Sequence, residues 1–254
     1  MNVQLLGTGT SNGIPVIGCD CSVCTSSDPR NRRRRSSALV YDDQTTILID
    51  AGPDLHQQAI GAGITSLDAV LITHAHADHV NGMDDLKPMS WRKSIPLYAN
   101  QHTLDEIMTR FPYFFGSKGE SSRAEIMPRL AEPTGFSVAR FDITPIPIRH
   151  GQLEVAGYRI GAFAYLLDCN NIPDSSIALL KGVTHLVIDA LRPTGSRTHF
   201  SFDEAIATAT RISPTHAWLS DMCHDVDHEP MDAWVAEQSN GLVHLAWDGM
   251  TLSL

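Results

Sequence analysis

The chain has 254 residues, 43% of them hydrophobic and 19% charged, with a formal net charge of −10. That length suits one large domain or two small ones, either able to bury a core, and the composition is ordinary for a soluble globular protein. The absence of an apolar run of about 18 residues argues against a membrane-spanning helix. The acidic balance argues against broad, sequence-independent nucleic-acid binding, which rests on basic surface.

The first apolar run, VQLLG, reads as a strand, and MNVQLLGTGTSNGIP lacks the basic start and long apolar core of a signal peptide. GCDCSVCTS follows at 18–26, with Cys19, Cys21 and Cys24 spaced C-x-C-x-x-C. One metal ion could collect all three, but a closed structural zinc site needs a fourth ligand from elsewhere. Five cysteines with three clustered do not resemble a secreted disulfide framework, so a reduced, cytoplasmic protein is expected. RNRRRR at 30–35 reads as a solvated basic loop, with a phosphate-attracting rim beside a site as the functional alternative.

SALVYD and TTILID read as strands, followed by a helix in PDLHQQAIGAG with Pro53 in its first turn and glycine at its end. DAVLIT is the next strand. The segment 110–135 is the least regular, with aromatics expected to be exposed, and reads as a loop or lid. ITPIPI and FAYLLD are strands, IPDSSIALLKG a helix and THLVID a strand. SFDEAIATATRI is a helix with Ser201 as N-cap and Glu204 completing a capping box. HAWLSD, a helix in PMDAWVAEQSNG and the strand LVHLAW finish the chain. The pattern predicts one α/β domain over residues 1–254, with two layers of sheet covered by helices.

Several predicted strands end in histidine or aspartate. LITHAHADH places His74, His76, Asp78 and His79 within six residues at the end of one of them. So dense a set of imidazoles and carboxylate suits Zn, Mn or Fe. His150 in PIPIRHG and Asp168 in AYLLDCNNIP would be weak candidates alone, and gain weight from their order and their places at strand ends.

THAHADH after a strand resembles the H-x-H-x-D-H signature of the metallo-β-lactamase superfamily. That resemblance spans the chain and implies a four-layered αββα sandwich with a dinuclear metal site along one edge. It implies that His74, His76 and His150 hold one ion, that Asp78 and His79 hold the other, and that Asp168 bridges them. Asp50 in ILIDAG would orient the ligand loop from behind. The last ligand departs from the family pattern, because Asp221 in AWLSDMCHDVDH stands where a histidine is usual. Asp221 is expected to ligate the second ion, giving an oxygen-rich site; the other reading is a weakened site.

The cysteine cluster resembles that of the PhnP-type group of cyclic phosphodiesterases. There, three cysteines and a histidine three residues beyond the last active-site ligand hold a structural zinc, which here implies His224, with His228 as a less well matched alternative. His199 in SRTHFSF matches a non-ligand histidine of that group, which implies a general acid beside the phosphate; with Asp78 it makes up the expected catalytic pair. Asp189 could orient a neighbouring histidine. The resemblance thus implies a hydrolase of small, chiefly cyclic, phosphodiesters working through metal-bound hydroxide. It would carry two divalent ions (Mn or Zn, with Fe as a third option), one structural Zn, and a homodimeric assembly. A tRNA 3′-end-type nuclease and a non-hydrolytic protein of the pyrroloquinoline quinone (PQQ) biosynthesis type are the alternatives.

Overall fold

Alternation along the strands decides how this chain stacks. The computed structural model describes residues 1–115 and 125–254. In it β1 (Asn2–Gly7), β2 (Ser37–Tyr41), β3 (Thr46–Ile49), β4 (Ala69–Leu71), β5 (Ile95–Ala99) and β6 (Ile126–Leu130) form one sheet. The second sheet contains β7 (Phe136–Val138), β8 (Phe141–His150), β9 (Leu153–Ile160), β10 (Phe163–Leu166), β11 (His185–Asp189), β12 (His216–Ser220) and β13 (Val243–Leu245). A last strand, β14 (Thr251–Ser253), returns to pair beside β1. Strands β1 to β3 are antiparallel and β3 to β6 parallel; β7 to β10 are antiparallel and β10 to β13 parallel.

The helices are α1 (Leu55–Ala62), α2 (Ala77–Val80), α3 (Leu86–Ser90), α4 (Gln101–Arg110), α5 (Pro112–Phe115), α6 (Asp174–Leu179), α7 (Phe202–Ile212) and α8 (His228–Gln238). On β3, Ile47 and Ile49 point into a core shared with Tyr158, Phe163 and Tyr165 of the other sheet. Leu48 between them packs outward against Leu55 of α1 and Leu104 of α4. On β11, Val187 faces the shared core while Leu186 and Ile188 pack on Phe202, Ala205 and Ala209 of α7. The period of two in each strand thus builds helix, sheet, sheet and helix: the expected αββα sandwich.

The capping box forms as predicted: the Ser201 backbone N–H donates to Glu204 Oε2 at 2.8 Å, and the Glu204 N–H to Ser201 Oγ at 3.3 Å. Other boundaries differ. Helix α1 begins at Leu55 with Asp54 as its N-cap, so Pro53 lies in the preceding turn and not in the first helical turn. Helix α8 starts at His228, before the predicted Pro230. In the 110–135 segment, residues 116–124 lie outside the described residues. The rest is partly regular, with α5 and the strand β6, and Phe111 and Phe114 are buried against the first sheet's outer core, against expectation. No helix among the described residues is long and apolar enough to cross a membrane.

Candidate metal centre

Parallel strands finish on the same edge of a sheet, and here those ends carry the chemistry. Asp50 follows β3, His74 follows β4, Asp168 follows β10, Asp189 ends β11 and Asp221 follows β12, while His150 ends β8. Asp50, Asp168 and Asp221 all have left-handed backbones, with φ of 63°, 53° and 68°. Aspartate tolerates that conformation better than most residues, because its short polar side chain can hydrogen-bond locally. Each chain reversal can therefore also present a carboxylate.

One nitrogen each from His74, His76 and His150 lies within 4.8 Å of the others, and the same holds for ligand atoms of His74, His79 and Asp168. His79 Nε2 is 3.0 Å from Asp168 Oδ2 and 3.3 Å from Asp78 Oδ2, while His74 Nε2 is 3.9 Å from Asp168 Oδ1. Asp168 thus sits between the His74 group and the Asp78–His79 pair. Three of the four rings have Nδ1 anchored by an oxygen: His79 on Asp50 Oδ2 (2.8 Å), His74 beside Thr73 Oγ1 (3.0 Å) and His150 on the Thr198 carbonyl (3.0 Å). Such partners fix ring orientation and leave Nε2 free for a metal.

Four buried atoms in this region lack a well-aligned hydrogen bond, His74 Nε2, His79 Nε2, Asp168 Oδ2 and Asp221 Oδ2, although the second and third face each other at 3.0 Å. An orphaned buried polar group costs about 1–3 kcal/mol, so four together are unfavourable unless something else satisfies them. Nitrogen and oxygen donors in this mixture fit divalent Zn, Mn or Fe. Burial depresses His74 well below its ordinary range. Burial also works downward on His79, but the charges of Asp168 and Asp50 outweigh it and hold that ring well above its ordinary range.

Beside the clusters, His199 Nδ1 is 2.9 Å from Asp189 Oδ1 and 3.3 Å from Asp221 Oδ2. Asp189 is itself fixed by the Phe200 N–H at 2.8 Å. Burial opposes the charged ring, yet the Asp189 hydrogen bond and the carboxylate charges push His199 up to about 10. Burial raises Asp221 well above the usual carboxylate range, and the nearby Asp168 charge adds to it. Asp221, the expected ligand, groups with Asp189 and His199, beside the His74–His79–Asp168 cluster and not within it.

The cysteines converge on His224. Its Nδ1 is 3.2 Å from Cys19 Sγ, 3.7 Å from Cys21 Sγ and 3.7 Å from Cys24 Sγ. One nitrogen cannot hydrogen-bond to three sulfurs, whereas a tetrahedron with Zn–S of about 2.3 Å and Zn–N of about 2.0 Å puts S and N about 3.5 Å apart. The Cys24 N–H, the largest influence, draws the Cys21 thiol down to about 7, while burial pushes the Cys24 thiol up to about 11. His228 is in a different place, buried with its ring against Trp247.

Several supporting residues carried no sequence signal. The Arg33 guanidinium, 1% exposed, donates to the carbonyls of Cys223 (3.3 Å) and Val226 (2.8 Å). Arg30 pairs with Asp28, Arg34 with Asp248 and Arg35 with Asp54. Arg33 and Arg35 in the 30–35 run are therefore tertiary clamps, while Arg32 and Arg34 stay exposed as a solvated loop would have them. Arg110 at the end of α4 donates to the Ala75 carbonyl at 2.6 Å, bracing the ligand loop. Gly52 allows that loop close: a Cβ there would lie 2.0 Å from the Asp78 carbonyl oxygen.

The fold and its paired donor clusters are those of the metallo-β-lactamase superfamily. A model of the Beta-lactamase superfamily domain matches residues 45–221, and the chain belongs to that superfamily. A solved structure of a new diphosphatase from the PhnP family is 36% identical, with a TM-score of 0.92 over 100% of this chain and 97% of that one. An octanoyltransferase of Porphyromonas gingivalis is 38% identical over 98% of this chain, which spans about half (51%) of that protein's length. Coenzyme PQQ synthesis protein B of Methylobacterium radiotolerans is 28% identical over 74% of this chain and 72% of that protein.

Proposed function

We propose that this chain is a metal-dependent hydrolase of small phosphodiesters, cyclic ones included. The observation that carries the reading is His199, its Nδ1 held 2.9 Å from Asp189 Oδ1, standing beside two donor clusters that share His74, one with His76 and His150 and the other with His79 and Asp168. His74, His76 and His150 would hold one divalent ion, and Asp78, His79 and Asp221 the other, with Asp168 between them. Ions bound there supply an activated water near neutral pH and neutralise charge developing on the phosphate.

The remaining work falls to the chain's own groups. With Nδ1 committed to Asp189, His199 has Nε2 left to donate a proton to the departing oxygen. Asp50 keeps the His79 ring from turning, and Thr198 does the same for His150. The PhnP-family diphosphatase supports chemistry at a phosphorus–oxygen bond.

The test joins metal quantification to hydrolysis of bis(p-nitrophenyl) phosphate, ribose 2′,3′-cyclic phosphates and a diphosphate diester, each with added Mn, Zn or Fe. Metal-dependent cleavage, lost in His199→Ala, is expected. If no metal supports cleavage of any of these while the protein stays folded, the reading fails. A second reading, binding of a cofactor precursor without hydrolysis, is favoured by the PQQ synthesis relative together with Asp221. One zinc per chain at the cysteines, with no uptake of further ions, would support it.

A further inference from the structure

We propose that Ser36 is a positioning residue for Asp221, holding its carboxylate through Oδ1 so that Oδ2, which lies 3.3 Å from His199 Nδ1, stays available to the second metal ion instead of closing fully onto His199. The inference rests on the reading of Asp221 as a ligand of that ion. Both side chains are buried, Ser36 at 2% and Asp221 at 1% exposure. Ser36 Oγ lies 3.1 Å from Asp221 Oδ1 and 3.2 Å from the Gly9 carbonyl oxygen. A hydroxyl has one proton to give, and a carboxylate that a bound cation keeps ionised is a stronger acceptor than a peptide carbonyl. Asp221 Oδ2, by contrast, is buried without a hydrogen bond.

Two destinations compete for that bare oxygen. One is the metal locus, where His74 Nε2, His79 Nε2 and Asp168 Oδ2 also lack a well-aligned hydrogen bond. The other is His199 Nδ1, 3.3 Å away and already bonded to Asp189 at 2.9 Å. A carboxylate can rotate about its Cβ–Cγ bond and meet His199 more fully. The bond from Ser36 to Oδ1 opposes that rotation.

The placement of Ser36 is set by backbone. Gly9 bridges to both Arg35 and Met222, the residues flanking Ser36 and Asp221. The Gly9 N–H donates to the Arg34 carbonyl (2.8 Å), the Met222 N–H to the Thr8 carbonyl (3.0 Å) and the Thr10 N–H to the Met222 carbonyl (3.2 Å). Arg33 clamps the same segment through Cys223 and Val226. Three stretches of chain, near residues 9, 35 and 222, are thereby zipped together with the hydroxyl held against the carboxylate. An imidazole at position 221 would present its ring nitrogen without needing that restraint, so the serine matters because the residue is aspartate.

The experiment is a manganese titration of the full chain, with free Mn²⁺ counted by electron paramagnetic resonance and folding checked by thermal melting. It covers the wild type, Ser36→Ala, Asp221→His and the double variant. The wild type should take up two Mn²⁺ per chain, and Ser36→Ala should weaken the second by about tenfold or more while sparing the first. In the Asp221→His background the serine change should alter Mn²⁺ affinity by less than about twofold, which a general structural role would not produce. An equal loss in both backgrounds, or no loss in Ser36→Ala, overturns the inference. So does a wild type that takes up a single Mn²⁺ indifferent to Asp221→His. Failure of the phosphodiesterase reading is separate: the binding pattern would hold and no phosphate ester would be cleaved.

Discussion

Asp50 never has to touch a metal to matter. Its two oxygens accept from the Thr73 N–H at 2.8 Å, from Thr73 Oγ1 and from His79 Nδ1 at 2.8 Å, with Asp50 at 0% and both partners at 1% exposure. Replacing it with alanine leaves a buried donor set unpaired, which should cost the metal-free protein about 3 kcal/mol in urea denaturation. Metal affinity should fall about 10–100-fold as the His79 ring loses its anchor. Unchanged metal content in Asp50→Ala would sink that account. His199 makes the pH-dependent counterpart. Its proton is held up to about 10 from an ordinary 6.5. The stability it contributes is therefore complete below its unfolded value and is lost as pH rises through the folded one. In chelated protein, the stability gap between wild type and His199→Gln should be wider at about pH 6 than at about pH 10.5. A gap that is constant or widens with pH contradicts the Asp189–His199 pairing.

The Cys–His cluster, proposed to hold zinc, and the Arg33 clamp act at the scale of elements. Cys19, Cys21 and Cys24 tie the loop after β1 to His224, three residues beyond Asp221, and Arg33 holds the same segment through Cys223 and Val226. Metal binding at such a site is folding free energy for the segments it joins. In Cys24→Ser, hydrogen exchange should accelerate around residues 8–14 and 221–228 and stay near wild-type in β3 and β4. Uniform acceleration across the chain would mean the cysteines hold the whole fold. How much was legible differs between these two devices. C-x-C-x-x-C is local and dense, so its chemistry is plain from spacing, though His224 came only from a family resemblance. Arg33 and Arg35 depart from the solvated reading because their partners, the carbonyls of residues 223 and 226 and the Asp54 carboxylate, lie elsewhere in the chain. A guanidinium that finds buried acceptors looks the same in sequence as one left in water.

Across the whole molecule, the two sheets must be held in register for donors from both to meet. His74, His76, Asp78 and His79 come from the first sheet's edge; His150, Asp168 and Asp221 come from the second. Tyr158 on β9 spans the gap, its buried hydroxyl donating to the Ile72 carbonyl at 2.8 Å, and the Ala156 N–H donates to the Thr73 carbonyl at 3.0 Å. Tyr158→Phe should cost about 1 kcal/mol or more in chemical denaturation, since one carbonyl beside the ligand loop loses its donor. A neutral result would place the registration in the apolar core alone.

The sequence by itself determined the alternation that makes each strand two-faced, the capping box on α7, the four donors packed into residues 74–79 and the cysteine cluster. These are short-range patterns, and residue type and spacing carry them. Only the tertiary structure decided that Ser36 faces Asp221, that Arg33 is buried, and that Thr198, Arg110 and Tyr158 brace the metal loop. Those contacts join residues far apart in the chain, and most end on backbone carbonyls. Every residue has a carbonyl, so which one is met depends on where the folded chain crosses itself.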